Sequence, residues 1–335
     1  MPFVRTSARA PARRIPRRPG RALALLSVAL LVAACTTSGS SGGQDLTVAV
    51  VPGVDTAPLA IAAKDGLFSQ QGITVTVKDV SSSAEAYRDL LNGSANVAAG
   101  DYAAFFYAIA NGQSQLKLIA DGYDAATGTM QVLTLPDSNI TSVSQLQGKK
   151  VGTPSAQVAP FENNFPYNIE TLATESELQS DGVNPADIYW DQLPASQMLS
   201  ALSSHQVDAI LVTEPQLTEA EEQLGAVELL DSCSGVTANL PLTGYFSTAA
   251  VAGQETGTLT AFQKALSIAK GDAASRSIVQ SALTGENISA EDAALVNVGQ
   301  YPTFLNVGQV QRVADLMYES GMIIAPVSVA SLQFK

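Results

Sequence analysis

The sequence predicts an α/β protein made of two similar lobes that face each other across a cleft. One observation is that residues 79–102 combine a turn, a helix and a buried strand that ends in a polar pair. A second is that the same pattern returns 112 residues later, at 191–214. A third is length, because the roughly 290 residues after the N-terminal leader are too many for one small core. Ligands of open α/β sheets bind at the carboxyl ends of the strands, so two facing ends predict a ligand cleft.

The first copy of the pattern begins with a helix-capping signal. Ser82 is followed three residues later by Glu85, which predicts a helix N-terminus at this point. Gly93 supplies a left-handed residue that ends the helix. The apolar run at 97–99 shows no polar alternation and predicts a strand covered on both faces, which ends just before Asp101.

The second copy aligns with the first when 112 is added to each residue number. It has an apolar strand at 209–212, followed by Thr213 and Glu214. His205 is the only histidine of the chain and takes the place of the helix-ending glycine. Because His tolerates a left-handed backbone better than most residues, we interpret it as a turn residue. A chance likeness between two strand–helix–strand stretches is the alternative.

Apolar periodicity and turn residues predict the other elements in chain order. Strands are expected at 46–51, 73–77, 116–120, 130–135, 151–153, 188–190 and 245–251. Helices are expected at 57–71, 102–110 and 163–178, with Pro166 in the first turn of the last. After the final strand the chain is almost wholly helical, at 258–269, 273–283, 290–295 and 307–319. Strands that alternate with helices are typical of an α/β fold.

The first 35 residues have the character of a leader. Seven arginines precede an apolar run at 22–34, which is too short to span a bilayer and is typical of a signal peptide. Leu-Val-Ala-Ala-Cys at 31–35 is similar to a bacterial lipobox, so we expect Cys35 to be lipidated and to anchor the exported protein to the outer face of the cytoplasmic membrane. Residues 36–44 are a flexible tether. The alternatives are a buried, unlipidated Cys35 and twin-arginine export.

Charge and composition exclude several classes of function. The chain carries 18 Lys+Arg and 31 Asp+Glu, and beyond the leader 11 basic residues face all 31 acidic ones, a formal net charge of −20. Nucleic acid is therefore a poor partner. Only one His and, after Cys35, only Cys233 remain, so the sequence predicts no metal cluster, no intrachain disulfide and no other cofactor. No GxxxxGK[ST] loop is present either.

Several blocks of the sequence resemble one group of bacterial ABC-transporter solute-binding proteins. The group includes the nitrate-, aliphatic-sulfonate-, taurine- and thiamine-pyrimidine-precursor-binding proteins. The similar blocks keep the order of that family and together span most of 45–322; they lie at 57–77, 90–98, 137–153, 182–190, 201–215 and 261–266.

The resemblance implies a type II periplasmic-binding fold, with two three-layer lobes joined by two crossing segments and a ligand cleft between them. The first lobe is expected at 45–131 plus 251–335 and the second at 132–250, with hinges near 130–135 and 245–250. The implied function is capture of a small solute by hinge closure and its delivery to an ABC permease and ATPase, by a monomer that is not an enzyme.

This chain also departs from the family's pattern. The family often has a Trp before the acidic element that follows the second apolar strand, but residues 212–215 are Val-Thr-Glu-Pro. A Gly-Ser element of the family becomes Thr-Pro-Ser-Ala-Gln at 153–157. The identity of the solute is therefore not transferable from any one subgroup.

The expected cleft residues follow strand ends or begin helices in either lobe. They are Asp55, Thr56, Ser82, Asp101, Tyr102, Ser155, Gln157, Asn164, Thr213 and Glu214. Helix capping is the alternative role for Ser82 and Ser155. A solvated loop charge is the alternative for Asp55 and Glu214. Four aromatic side chains are candidates for stacking on a ring or holding a cation; these are Tyr102, Phe161, Phe165 and Tyr245.

The expected cleft set contains three carboxylates and no Arg, Lys or His. An anion about 4 Å from one carboxylate is opposed by roughly 1 kcal/mol in water and about 4 kcal/mol at an effective dielectric constant of 20. A helix N-terminus returns only about 0.3–1 kcal/mol. The sequence therefore favours a neutral or cationic, nitrogen-bearing solute, such as a pyrimidine-like ring.

Three alternatives stay open at this point. One is an anion such as a sulfonate, taurine or nitrate. Another is a pyrimidine-synthase-like enzyme, although this chain lacks the Cys- and His-rich iron site that such an enzyme needs. The third is an exported binding lobe that serves a sensor or in adhesion.

Overall fold

Two five-stranded sheets account for the strands of the computed structural model, which describes residues 44–112, 115–154, 168–286 and 288–335. The first sheet contains β1 (Gln44–Val50), β2 (Ile73–Asp79), β3 (Val97–Asp101), β4 (Leu116–Asp124) and β10 (Pro241–Thr248), in the spatial order β2-β1-β3-β10-β4. β1 pairs in parallel with β2 and β3, whereas β10 runs antiparallel to both of its neighbours. The leader with Cys35, residues 36–43 of the expected tether, Ser155, Gln157, Phe161, Asn164, Phe165 and Pro166 lie outside the described residues, whereas Gln44, expected as the last residue of the tether, begins β1.

The second sheet repeats this topology. It contains β5 (Met130–Thr134), β6 (Lys150–Pro154), β7 (Tyr189–Leu193), β8 (Ala209–Thr213) and β9 (Val227–Asp231), in the order β7-β6-β8-β5-β9. β6 pairs in parallel with β7 and β8, and β5 is the antiparallel strand. Each sheet thus has the same strand order and the same single antiparallel strand. The predicted two-lobe α/β architecture is confirmed.

The helices cover the sheets and continue alone after β10. They are α1 (Ala57–Lys64), α2 (Leu67–Gln70), α3 (Ser83–Asn92), α4 (Tyr102–Ala110), α5 (Ile169–Ser180), α6 (Met198–Ser203), α7 (Gln216–Leu224), α8 (Ala249–Gln254), α9 (Thr256–Asp272), α10 (Arg276–Leu283), α11 (Ala290–Leu295), α12 (Val307–Glu319) and α13 (Val329–Leu332). The four C-terminal helices that the sequence predicts correspond to α9–α12. Gly66, with φ of 67°, divides the predicted 57–71 helix into α1 and α2. Within the described ranges, no helix is both long and apolar enough to cross a membrane.

The 112-residue repeat is present in the structure. β3 and β8 are separated by that offset at both ends, and they hold equivalent places in the two sheets. Gly93 and His205, at the ends of α3 and α6, have φ of 76° and 55°. His205 therefore has the left-handed turn conformation that the sequence predicts.

Two predicted boundaries are wrong. The strand expected at 245–251 is β10, which begins at Pro241 and is followed by α8 from Ala249. The helix expected at 163–178 is described only from Ile169, where α5 begins after Asn168 as its N-cap. Asn168 accepts a hydrogen bond from the backbone N–H of Thr171, at 2.7 Å.

Strand membership also moves both expected crossings, because residues 130–134 form β5 of the second sheet. Residues 245–250 belong to β10 and α8 in the first lobe, so the chain returns from the second sheet between β9 and β10. We propose 125–129 and 232–240 as the two crossing segments. They are joined by a hydrogen bond from the Ala125 N–H to the Leu240 carbonyl, at 2.8 Å. The assignment of whole lobes to residue ranges stays a prediction.

One glycine of β10 is required by close packing behind the strand ends. A Cβ on Gly244 would lie 2.7 Å from Cζ and Oη of Tyr102, which has no exposed surface. The Tyr102 hydroxyl donates to Asp121 Oδ1 at 2.8 Å, so the ring has little freedom to move. Gly253, in the exposed part of α8, has no atom within 4 Å of such a Cβ.

We therefore expect Gly244→Ala to lower the free energy of unfolding by about 1–3 kcal/mol, because overpacking displaces a buried ring. Gly253→Ala is the control and should be neutral or stabilising by up to about 1 kcal/mol, since Ala is the better helix former. Urea unfolding of the two variants measures the difference. Equal stability of both variants would contradict the packing of Tyr102 on β10.

Candidate functional site

Three carboxylates from the two lobes meet where the strand ends face each other. Asp55 lies in the short turn after β1, Asp101 ends β3, and Glu170 is in the first turn of α5 in the second lobe. Asp55 and Asp101 each act electrostatically on Glu170, and Asp55 acts on Asp101. We call these three residues the carboxylate cluster.

Asp101 is positioned mainly by its own lobe. Its Oδ1 accepts a hydrogen bond from the backbone N–H of Ala103 at 2.6 Å, which makes Asp101 the N-cap of α4. Its backbone N–H donates to Ser83 Oγ at 3.1 Å. The other carboxylate oxygen, Oδ2, reaches across the cleft and accepts from the backbone N–H of Ile169 at 3.2 Å. A single side chain thus connects the two lobes.

The N-terminus of α5 has three of its first N–H groups engaged by the chain itself. A helix begins with four N–H groups that lack partners within the helix. Here the Ile169 N–H donates to Asp101 across the cleft. The Thr171 N–H donates to the Asn168 side chain and the Leu172 N–H to the Asn168 carbonyl, at 2.7 and 3.0 Å.

Burial and mutual repulsion favour the protonated forms of the cluster. Burial raises the pKa of Asp55 to about 6, although hydrogen bonds from backbone groups and from Thr243 oppose this. Burial raises the pKa of Asp101 to about 7, and the charge of Asp55 adds to the effect. The pKa of Glu170 rises to about 8, again through burial and then through the charge of Asp101. Among the described residues, no basic side chain lowers any of these three pKa values.

Other expected cleft residues make hydrogen bonds within the protein. The Thr56 hydroxyl donates to the carbonyls of Val51 and Gly53, each at 3.2 Å. Ser82 caps α3 by accepting from the Glu85 N–H at 3.2 Å, as its alternative role predicts. Thr213 ends β8 opposite Met130 and is half-buried. Contact of these side chains with a solute stays a prediction.

Glu214 connects the second lobe to a C-terminal segment. Its Oε2 accepts from the N–H and hydroxyl of Thr218, at 3.1 and 2.8 Å, and its Oε1 accepts from the Asn297 N–H at 2.8 Å. The carboxylate is 8% exposed. We call residues 296–300 the strap, because Asn297 also donates to the Gly128 carbonyl and Gln300 pairs with the backbone of Asp124. The strap therefore contacts the end of β4 and the first crossing segment.

A second group of ionisable side chains lies behind β10. Lys270 is 4% exposed, its Nζ donates to the Asp121 carbonyl, and it lies 5.7 Å from the centre of the Tyr245 ring. Burial lowers the pKa of Lys270 to about 8 and raises those of Asp121 and Asp124 to about 6 and 7. Tyr102 donates to the Asp121 carboxylate. Two of the predicted ring-stacking residues, Tyr102 and Tyr245, are thus core side chains next to a buried ionic group.

Three residues of the cluster and its surroundings are not among the residues that the sequence predicts for the cleft: Glu170, Ser83 and Thr243. Thr243 lies opposite Asp101 in the β3–β10 pairing. For Glu170 a signal was available, since Asn168 is followed three residues later by Thr171 and can cap a helix. The predicted helix begins instead at 163, and Asn164 is the cleft residue expected on it.

The described residues contain no group of three or more His, Cys, Asp or Glu side chains arranged to hold a metal ion. The oxygen atoms of the carboxylate cluster can accept hydrogen bonds, and its ionised forms carry negative charge.

Comparison with known proteins agrees with this architecture. A model of the NMT1-like family matches residues 40–277. A search of curated proteins returned no significant match. The fold is similar to that of the periplasmic aliphatic sulphonate binding protein SsuA from Escherichia coli, with a TM-score of 0.70, 17% identity, and coverage of 87% of this chain and 97% of that one.

Two further solved structures show how widely this fold is used. The periplasmic nitrate-binding protein NrtA from Synechocystis PCC 6803 has a TM-score of 0.62 and 17% identity, and the match covers 75% of this chain and 69% of that one. The desulfurization enzyme DSZB has a TM-score of 0.65 and 15% identity, with coverage of 87% and 96%. At such identities the likeness shows the fold alone.

Proposed function

The chain belongs to the NMT1-like family, and we propose that it is the exported solute-binding component of an ABC importer. Support comes from the two lobes with facing strand ends and from the named binding proteins that share the fold. The cleft closes by a hinge motion because the closed state has the higher affinity for solute. A permease and its ATPase then receive the solute, and the protein acts as a monomer.

The proposed solute is a small cationic or neutral compound that bears nitrogen. The observation that carries this choice is the carboxylate cluster, in which acids of both lobes interact and no basic side chain lowers their pKa values. Residues 155–167, which follow β6, contain no Lys, Arg or His in the sequence. A cation about 4 Å from one carboxylate gains roughly 1 kcal/mol in water and about 4 kcal/mol at an effective dielectric constant of 20.

An anion is the second candidate, and the sulphonate- and nitrate-binding neighbours favour it. The same Coulomb term that attracts a cation opposes an anion at the cluster. Glu170 can supply one compensating donor, because a carboxyl with a pKa of about 8 is largely protonated at neutral pH. One such donor does not offset the charges of Asp55 and Asp101.

A comparison of cations with anions tests the solute class. The probes are methylammonium, guanidinium and cytosine on one side and ethanesulfonate and nitrate on the other, each titrated into the full chain by calorimetry. We expect binding on the first side and, above pH 8 where Glu170 is ionised, a roughly ten- to hundredfold loss in Glu170→Gln from the missing charged hydrogen-bond partner. Glu222→Gln, which removes an exposed carboxylate of the same lobe, is the matched control. Tight ethanesulfonate or nitrate binding that Glu170→Gln leaves unchanged would replace the cation proposal by the anion one.

Binding rather than catalysis is part of the proposal. The fold occurs in an enzyme as well, but the side chains of the cluster are three carboxylates, of which Asp101 is bonded to N–H groups of the chain itself. A bound solute should leave the protein chemically unchanged, and mass spectrometry of the solute after prolonged incubation measures this. Recovery of a product in more than stoichiometric amount would show an enzyme instead.

We propose that the chain is held at the outer face of the cytoplasmic membrane by a lipid on Cys35. The motivation is the lipobox-like sequence and the tether that follows it. Cys35→Ser should yield a protein without acyl chains that no longer sediments with membranes. Acylated, membrane-bound Cys35→Ser protein in fractionation and mass spectrometry would refute the anchor.

A further inference from the structure

The carboxylate of Asp101 has two separate tasks in the structure. Its Oδ1 caps α4 in the first lobe through the Ala103 N–H. Its Oδ2 is left for the second lobe and accepts from the Ile169 N–H, the first residue of α5. Because Ser83 also accepts from the Asp101 N–H, the residue is fixed in its own lobe whether or not the second lobe is near.

The Oδ2 atom of Asp101 lies at a position that an anionic solute would favour if Asp101 were absent. A helix N-terminus is a ready site for an anion, since its free N–H groups and the helix dipole both favour negative charge. α5 has 12 residues, and the N–H groups of Ile169, Thr171 and Leu172 in its first turn are engaged by Asp101 and Asn168. Of the groups that accept from these N–H groups, Asp101 is the one from the opposite lobe.

We infer that Asp101 determines the charge selectivity of the cleft by acting as a built-in occupant of the N-terminal end of α5. The inference rests on the proposed function, because it takes the cleft to be the solute site. An anion must displace Oδ2 from Ile169 and then remain beside the displaced charge. A cation leaves the Asp101–Ile169 bond in place and gains from the same carboxylate. The bond also holds the lobes together when no solute is bound.

Two substitutions of Asp101 distinguish the effect of filling the N-terminal end of α5 from the effect of negative charge at that place. Asp101→Ser keeps a side-chain oxygen that caps α4 but is too short to reach Ile169, so it vacates α5. Asp101→Asn is neutral and of the same length, so its side chain still fills the position at the N-terminal end of α5, although its single oxygen can accept from only one of Ala103 and Ile169. Asp65→Asn removes an exposed carboxylate of the same lobe and is the control for net charge.

The measurement is calorimetric titration of the full chain and each variant with methanesulfonate and with methylammonium. We expect methanesulfonate affinity to rise by at least about tenfold in Asp101→Ser and by less in Asp101→Asn, with no change in Asp65→Asn. No gain in Asp101→Ser, or equal gains in the Ser and Asn variants, would overturn the inference. Methylammonium affinity should fall in both Asp101 variants.

The empty protein provides a readout that needs no solute. Small-angle scattering should give a larger radius of gyration for Asp101→Ser than for the parent chain or Asp101→Asn, and equal radii would overturn the link between the lobes. The two proposals fail differently. If no probe binds the parent or any variant, the proposed function fails. If the parent binds methylammonium but Asp101→Ser gains no methanesulfonate binding, only the role of Asp101 fails.

Discussion

Lys270→Met is expected to lower the free energy of unfolding by about 3–5 kcal/mol, because it removes the only partner of opposite charge from a buried ionic group. Lys270 is nearly inaccessible, and its charge favours the ionised forms of Asp121 and Asp124. Asp121 Oδ2 and Asp124 Oδ1 have no hydrogen-bond partner of their own. Without the ammonium group, two neighbouring acids must lie buried without a cation or take up protons.

The pH dependence of this loss has a defined sign. The pKa values of Asp121 and Asp124 are raised in the folded protein, to about 6 and 7, so their burial penalty is absent at acid pH and complete above those values. Removing Lys270 raises the two pKa values further. The destabilisation should therefore be smaller near pH 5 than near pH 8.

Chemical denaturation at both pH values measures the effect, and Lys264→Met is the control. Lys264 is exposed on the same helix, α9, so its loss should change stability by no more than about 0.5 kcal/mol. A cost below about 1 kcal/mol for Lys270→Met would mean that solvent reaches Asp121 and Asp124. A cavity of about 500 Å³ lined by Lys270 and the strap is the route by which it would do so.

The affinity for a cationic solute is expected to rise about tenfold or more between pH 6 and pH 8. A cation selects the ionised forms of Asp55, Asp101 and Glu170, whose pKa values of about 6, 7 and 8 span this interval. At the lower pH the solute must expel protons, so its apparent affinity is reduced. The empty protein should change in the opposite direction, because raised carboxyl pKa values make the fold less stable as pH increases through them.

Calorimetry in two buffers of different ionisation enthalpy measures the protons released. Glu170→Gln should flatten the affinity profile at its alkaline end, whereas Glu222→Gln should leave the profile unchanged. Among the described residues, the Thr243 hydroxyl and the N–H groups of Ala103, Ala104 and Ile169 face the cluster. The charges of Asp55 and Glu170 also act on Tyr123 and Cys233, whose pKa values are raised above their ordinary values, so neither titrates in this range. A profile that is level from pH 6 to 8, without proton release, would refute ionisation of the cluster on binding.

The repeat and the element types were predictable because they depend on local pattern. The apolar runs of β3 and β8 are covered on both faces, and the residues that end α3 and α6 adopt a left-handed backbone. Such features arise from a few consecutive residues. The repeat was therefore visible in the sequence together with its offset.

Side-chain direction was less predictable. Asp101 and Tyr102 are adjacent at the end of a strand, and both were expected in the cleft. In the structure Asp101 turns to Ile169 in the other lobe, while Tyr102 packs against Gly244 and donates to Asp121 inside the first lobe. Glu170 was missed for a related reason. The position of the Glu170 side chain depends on the residue at which α5 begins. When the predicted start of a helix is displaced by a few residues, its side chains are predicted on different faces of the helix.

The position of β10 also sets the order in which the two lobes can complete their folding. β5 to β9 come from one continuous run of chain, so the second sheet has all its strands once residue 231 has been made and exported. Among the strands of the first sheet, β10 is the one neighbour of β4, and it follows β4 by more than a hundred residues. Closing so long a loop is slow, because its entropy is lost before any contact is gained. A chain that emerges N-terminus first therefore begins with its first lobe and completes that lobe last.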